Sequence, residues 1–80
     1  MDFTYNIVNR IAVLREYESN GETWTKELNC ISWNDREPKL DIREWNGDHT
    51  KCTKGITLTP DEASKLYMAL NDIVHERSDK

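Results

Sequence analysis

Glycine is scarce in this chain, with three residues in 80, and proline and cysteine are scarcer, with two each. Three scattered glycines form no Gly-rich loop to cradle phosphates, and neither a P-loop nor a G-x-S-x-G elbow occurs. Two cysteines, Cys30 and Cys52, are too few for a disulfide framework and read as reduced thiols. No apolar run approaches the roughly 20 residues needed to span a bilayer, and no basic-then-apolar leader opens the chain. No membrane association and a cytoplasmic location are therefore expected. An excess of basic charge is lacking too: 11 Lys and Arg stand against 15 Asp and Glu, a net charge of −4. Taken alone, composition argues mildly against a polyanionic partner.

Catalytic and metal signatures are also missing. The candidate ligands Cys30, His49, Cys52 and His75 include no pair at the short spacing that structural zinc sites use, so no metal is expected. Carboxylates are plentiful, but paired-carboxylate chemistry needs a pocket, and a small open subunit offers little concavity. Neither an enzyme nor a cofactor is expected.

What is present begins with a helix start. Thr59-Pro60-Asp61-Glu62 is a capping box with proline at the first helical position, where a missing N–H costs nothing. Asp61 and Glu62 lie at the positive end of the helix dipole. Ala63, Leu66, Tyr67, Leu70, Ile73 and Val74 recur at helical spacing as one apolar stripe. The pattern predicts a helix from about Pro60 to Glu76, then a frayed tail over 77–80.

Everything earlier reads as strands cut by turns. Asn20-Gly21 and Asn46-Gly47 are the dipeptides that type I′ hairpin turns favour, and Asn34–Pro38 is a longer turn cluster. The expected strands are Phe3–Tyr17, with a bulge near Asn9-Arg10, then Thr23–Trp33, Lys39–Trp45 and Lys51–Thr59. In the third, Leu40 and Ile42 point one way while Lys39, Asp41, Arg43 and Trp45 point the other. In the second, Trp24, Leu28 and Cys30 share a face opposite Asn29, Ile31 and Trp33.

The expected fold is thus α+β, a four-stranded antiparallel sheet followed by one C-terminal helix, in a single domain over residues 1–80. One helix about 25 Å long covers only one face of such a sheet. The Leu40/Ile42 face is expected to pack on it, leaving the other face for a ligand, a partner or water. A chain of this size buries only roughly 60–65% of its unfolded surface, so a second subunit is the expected source of further burial.

The open face carries the chemistry. Trp33, Arg43 and Trp45 share it, Arg36 and Lys39 stand at the hairpin turn, and Lys51 and Lys54 flank the fourth strand. Aromatics among cations are how single-stranded nucleic acid is gripped without sequence readout. The same residues also fit a plainer reading, with tryptophans in a core or interface and charges solvating an ordinary surface.

Leu40-Asp41-Ile42-Arg43-Glu44-Trp45 followed by Lys54-Gly55-Ile56-Thr57-Leu58-Thr59-Pro60 resembles the positive-cofactor-four family of single-stranded-DNA-binding transcriptional coactivators. Trp24–Asn29 and Ile31-Ser32-Trp33-Asn34 are similar to its compact bacterial YdbC-type branch. The likeness runs from about Trp24 to Ile73. It implies a β-β-β-β-α subunit, a homodimer, and binding of single strands or melted duplex across curved sheets with little sequence preference. RNA stays open as an occupant, and the transcription machinery is a candidate partner.

Position by position, the resemblance makes Arg43 the phosphate-contacting strand arginine and Lys54 the lysine before the strand-four glycine. It makes Trp33 the stacking aromatic, places Trp45 in the aromatic pair after the arginine, and sets Arg36 and Lys39 as basic turn residues. Lys26 and Lys51 are added as phosphate contacts and Asn29 as a hydrogen-bonder to a base or sugar. Thr53 replaces a second basic residue, Asn46 replaces the second aromatic, and Asp35 and Glu37 interrupt the basic turn. Weaker binding that leans on stacking is therefore expected. A dimeric protein-interaction domain of the same fold, without DNA binding, is the rival expectation.

Overall fold

The computed structural model describes residues 4–78. Five elements follow one another: β1 (Tyr5–Ser19), β2 (Glu22–Trp33), β3 (Lys39–Asn46), β4 (Ile56–Leu58) and α1 (Pro60–Ser78). The strands form one antiparallel sheet in the order β1-β2-β3-β4. The expected α+β order is what the structure has. Phe3 and residues 79–80 of the expected tail lie outside the described residues, and the helix itself continues past Glu76 to Ser78.

Local chemistry explains most of the boundaries. Asn20 and Gly21 take φ of 54° and 77°, both positive as a type I′ turn requires, and join β1 to β2. A second tight turn sits at Asn34-Asp35, with φ of 52° and 61° and the Arg36 amide donating to the Trp33 carbonyl at 2.9 Å. The capping box closes reciprocally. The Glu62 amide donates to Thr59 Oγ1 at 3.1 Å, and the Thr59 amide donates to Glu62 Oε1 at 2.9 Å.

The Asn46-Gly47 turn departs from expectation. Neither residue has positive φ; His49 does, at 59°, and its amide donates to the Asn46 carbonyl at 3.0 Å. The reason lies in the Asn46 side chain. Its Oδ1 accepts from the amides of Thr50 and Lys51, both at 2.9 Å, and gathers 46–51 into a folded loop instead of a two-residue hairpin. The expected strand over Lys51–Thr59 accordingly shrinks to Ile56–Leu58, preceded by an isolated bridge between Trp45 and Cys52.

Register fixes the two faces. Leu28 lies opposite Ile42, Cys30 opposite Leu40 and Leu40 opposite Leu58, so these apolar residues share one side. Glu27 opposite Arg43, Asn29 opposite Asp41 and Thr25 opposite Trp45 share the other. β1 is bulged as expected, and more than once: its register slips between Ile7 and Asn9, Arg10 and Ala12, and Val13 and Arg15. Bulges add twist and bend.

The depth of burial reverses the expectation. Leu28, Cys30, Leu40 and Ile42 are only half-buried, whereas Ile31, Trp45, Glu27, Asn29 and Asp41, on the side expected to lie open, are buried. The helix is the cause on one side, because it touches only β3 and β4. It leaves Leu66, Tyr67, Leu70, Ile73 and Val74 of its own stripe exposed. On the other side, Tyr5 and the folded 46–51 loop close over the aromatics.

Gly55 stands where the chain entering β4 passes against β3. A Cβ there would lie 2.3 Å from the Ile42 carbonyl oxygen and 2.4 Å from Arg43 Cβ, so only glycine lets the two run this close. Gly55→Ala is expected to push Lys54 away from Arg43 and cost about 1–3 kcal/mol. Thermal unfolding of the purified variant checks this.

Candidate nucleic-acid interface

Four rings and one guanidinium form the centre of the site. Trp33 and Trp45 lie nearly parallel, 13° apart with centroids at 6.5 Å. Tyr5 tilts against both at 5.6 and 5.3 Å, and the His49 ring stands 5.6 Å from Trp45. The Tyr5 hydroxyl donates to the His49 carbonyl, which ties β1 to the loop above the cluster. The Arg43 guanidinium carbon sits 4.6 Å from the Trp33 ring centroid, within cation–π range.

Two buried carboxylates organise this face. Asp41 has 0% exposure and holds Arg43 in a fork, Nε donating to Oδ1 at 2.6 Å and Nη2 to Oδ2 at 2.7 Å. Thr57 Oγ1, reaching over from β4, donates to Oδ2 at 3.2 Å. Burial opposes the charge on Arg43, but Asp41 and then Cys52 together outweigh it and hold the guanidinium pKa above its ordinary value. Glu27 accepts from Thr25, from Asn29 Nδ2 at 2.9 Å, and meets His49 Nε2 at 2.9 Å. Burial pushes the Glu27 pKa up, and these partners together bring it below the ordinary value.

The expected site residues do not all meet on one face. Trp33 and Arg43 are together on one face, with Lys39 on the same side by register. Lys54, next to Gly55, lines an open groove with Arg43 and Lys26, although Lys26 belongs by register with Glu44 and Leu28 on the opposite side of the sheet. Arg36, Lys39, Lys51 and Lys54 are exposed and free of carboxylate partners within ion-pair distance among the described residues.

Two expected contacts need correction. Trp45 has 0% exposure beneath Tyr5, Trp33 and His49, so no face of its ring is open to a base; it supports Trp33 from below. Asn29 is 1% exposed with its amide committed to Glu27, so it reaches neither a base nor a sugar. Asn46, which stands where the second aromatic was expected, is buried and organises the loop.

Sequence reasoning missed Asp41, Thr57, Glu27, His49 and Tyr5. Asp41 had a signal, since it lies two residues before Arg43 on the same strand and therefore on the same face. Tyr5 and His49 had none, because their places depend on strand bulges and on a loop fold. Among the described residues no cluster of His, Cys, Asp and Glu is arranged to hold a metal ion, and no helix is long and apolar enough to cross a membrane.

The family model described as "Transcriptional Coactivator p15 (PC4)" matches residues 20–69, from the β1–β2 turn into the helix. An "Uncharacterized protein" of Treponema pallidum (strain Nichols) is 40% identical over 72 residues, which covers 90% of this chain and 81% of the relative. The matched span holds the Trp33–Arg43 pair, its Asp41 anchor and the Lys54-Gly55 approach, and over more than half its length this chain belongs to the transcriptional coactivator p15 (PC4) family.

Proposed function

We propose that this protein binds single-stranded DNA with little sequence preference, a base packing against the exposed part of Trp33 beside Arg43 while Arg43 and a rim of lysines and arginines hold phosphates. The observation that carries this reading is the half-buried Trp33 ring with the Arg43 guanidinium laid over it at 4.6 Å. An aromatic face and a phosphate donor in one place are what sequence-tolerant single-strand binding needs. The family supports it, being known for single-stranded DNA binding and coactivation and not for catalysis. Arg36, Lys39, Lys51 and Lys54 form the rim, and Lys26 reaches it through the groove. Trp45 and Asn29 serve as the floor. Such binding fits a role in transcription, replication or repair.

A homodimer belongs to the same proposal. One protomer exposes 6310 Å², against about 5000 Å² for a compact monomer of 9.4 kDa. Its radius of gyration is 14.7 Å, against about 12 Å for a compact chain of this length. The excess surface matches or exceeds one partner's share of a standard interface, about 800 Å². The bare stripe of α1 supplies apolar area for it. Sedimentation equilibrium is expected to give twice the chain mass; a monomer at micromolar concentration rejects the dimer.

Fluorescence anisotropy with labelled oligo-dT of about 20 nucleotides, at two salt concentrations and with duplex competitor, tests DNA binding. Salt-sensitive binding that duplex fails to displace is expected. Trp33→Ala is expected to lose about 1–3 kcal/mol of affinity with little change in salt slope. Lys54→Ala is expected to lower that slope by about 0.7. No binding at micromolar protein in low salt rejects the proposal in favour of a protein-interaction domain.

A further inference from the structure

Arg43 has five N–H donors in a planar fork, and the structure decides which of them face outward. Asp41 takes the Nε–Nη2 edge. On the Nη1–Nη2 edge the one printed contact is from Nη1 to the Thr53 carbonyl, at a long 3.4 Å. The guanidinium is therefore fixed in plane and in rotation before any ligand arrives.

We propose that Asp41 is a positioning residue for single-strand binding, its buried carboxylate holding the Arg43 guanidinium over Trp33 with the remaining edge ready for a phosphate. Thr57 is its second support, because its hydroxyl steadies the carboxylate from β4. The inference rests on the single-strand reading and deepens it. It inverts a simple Coulomb expectation. An anion beside a phosphate site should weaken DNA binding, and its removal should help. If the anion instead pre-pays the ordering of a long side chain, its removal hurts. Immobilising such a side chain costs about 0.5–1.5 kcal/mol, or roughly two- to tenfold in affinity.

The contrast with Glu37 makes the sign readable. Glu37 is exposed in the β2–β3 turn beside Arg36 and takes part in no ion pair among the described residues. It acts on DNA by charge alone. Glu37→Gln is expected to tighten binding, while Asp41→Asn, with the same change in net charge, is expected to weaken it.

The test is oligo-dT anisotropy on the full chain at several salt concentrations, for wild type, Asp41→Asn, Thr57→Val and Glu37→Gln, with circular dichroism at the assay temperature. Asp41→Asn should bind roughly tenfold more weakly, and its salt slope should fall by about 0.7 as the Arg43–phosphate contact is lost. A purely structural role lowers the folded fraction and leaves that slope alone. Thr57→Val, which keeps the charge and the side-chain shape, should bind roughly twofold more weakly. Folded Asp41→Asn that binds as tightly as wild type, or tighter, overturns the inference while the single-strand reading stands. Should Asp41→Asn not fold, unchanged binding by Thr57→Val overturns it. If wild type itself fails to bind, the single-strand reading falls and Asp41 has no phosphate donor to position.

Discussion

Trp45→Ala is expected to cost about 3–5 kcal/mol, the usual range for deleting a fully buried aromatic, and to unfold much of the protein. With a net stability of only about 5–15 kcal/mol in ordinary domains, few chains of this size tolerate such a loss. The ring is the largest fully buried side chain described, with no exposed surface. Tyr5, Trp33 and His49 all rest on it, so its removal also frees the 46–51 loop. Urea unfolding followed by circular dichroism gives the number. Trp45→Phe is the informative companion. The Trp45 indole N–H has no hydrogen-bond partner among the described residues, so phenylalanine gives up volume but no bond, and about 1–2 kcal/mol is expected. Retention of DNA binding by Trp45→Phe, against its loss in Trp33→Ala, would separate the floor of the site from its platform.

Arg43→Ala is expected to be destabilising as well as binding-deficient, by about 3–5 kcal/mol, because it strands the Asp41 carboxylate without its counter-charge. Arg43 is 15% exposed and Asp41 not at all, so water cannot take over the guanidinium's role. The double variant Asp41→Asn/Arg43→Ala should recover most of that stability, since a neutral amide is far cheaper to bury than a charge. A double-mutant cycle of urea midpoints measures the coupling. Additive single effects would mean that the pair does not interact as the geometry says. For DNA binding the consequence is practical. Loss of affinity in Arg43→Ala cannot be assigned to a missing phosphate contact until the double variant, refolded and still unable to bind, has been measured.

The backbone plan was largely legible in the sequence, and the packing was not. Asn20-Gly21 and the Thr59–Glu62 capping box act within a few residues, so local chemistry fixed them. The alternation of Leu40, Asp41, Ile42 and Arg43 correctly divided β3 between two faces. Alternation names two sides but not which one is covered. Apolar Leu28, Cys30, Leu40 and Ile42 suggested the inner face, yet α1 reaches only β3 and β4 and leaves them half-buried. The other face is deep because hydrogen-bonded polar groups can be buried as readily as apolar ones when each has a partner. Glu27, Asn29 and Asp41 meet that condition through residues up to 22 positions away in sequence, a distance over which no periodicity speaks. Asn46-Gly47 failed for a related reason: turn propensity counts backbone preference, whereas the Asn46 side chain bonds to the loop it folds. Of the candidate site, the placing of Trp33 and Arg43 on one face was legible in the strand alternation. Trp45 was identified as near the site and misread as its surface.

The slips in β1 bear on a hazard that has nothing to do with DNA. β1 is an edge strand of 15 residues, and Val8, Ile11, Val13 and Leu14 along it are exposed. A straight edge of that length and character would be a template for strand addition by another chain, and so for fibrous aggregation. Here the ladder falls out of step after Ile7, after Arg10 and after Val13. Between Tyr5 and Val13, an incoming regular strand can stay in register for no more than about three residues before its amides face the wrong groups. The interruptions in register thereby also work against polymerisation along the sheet's longest edge.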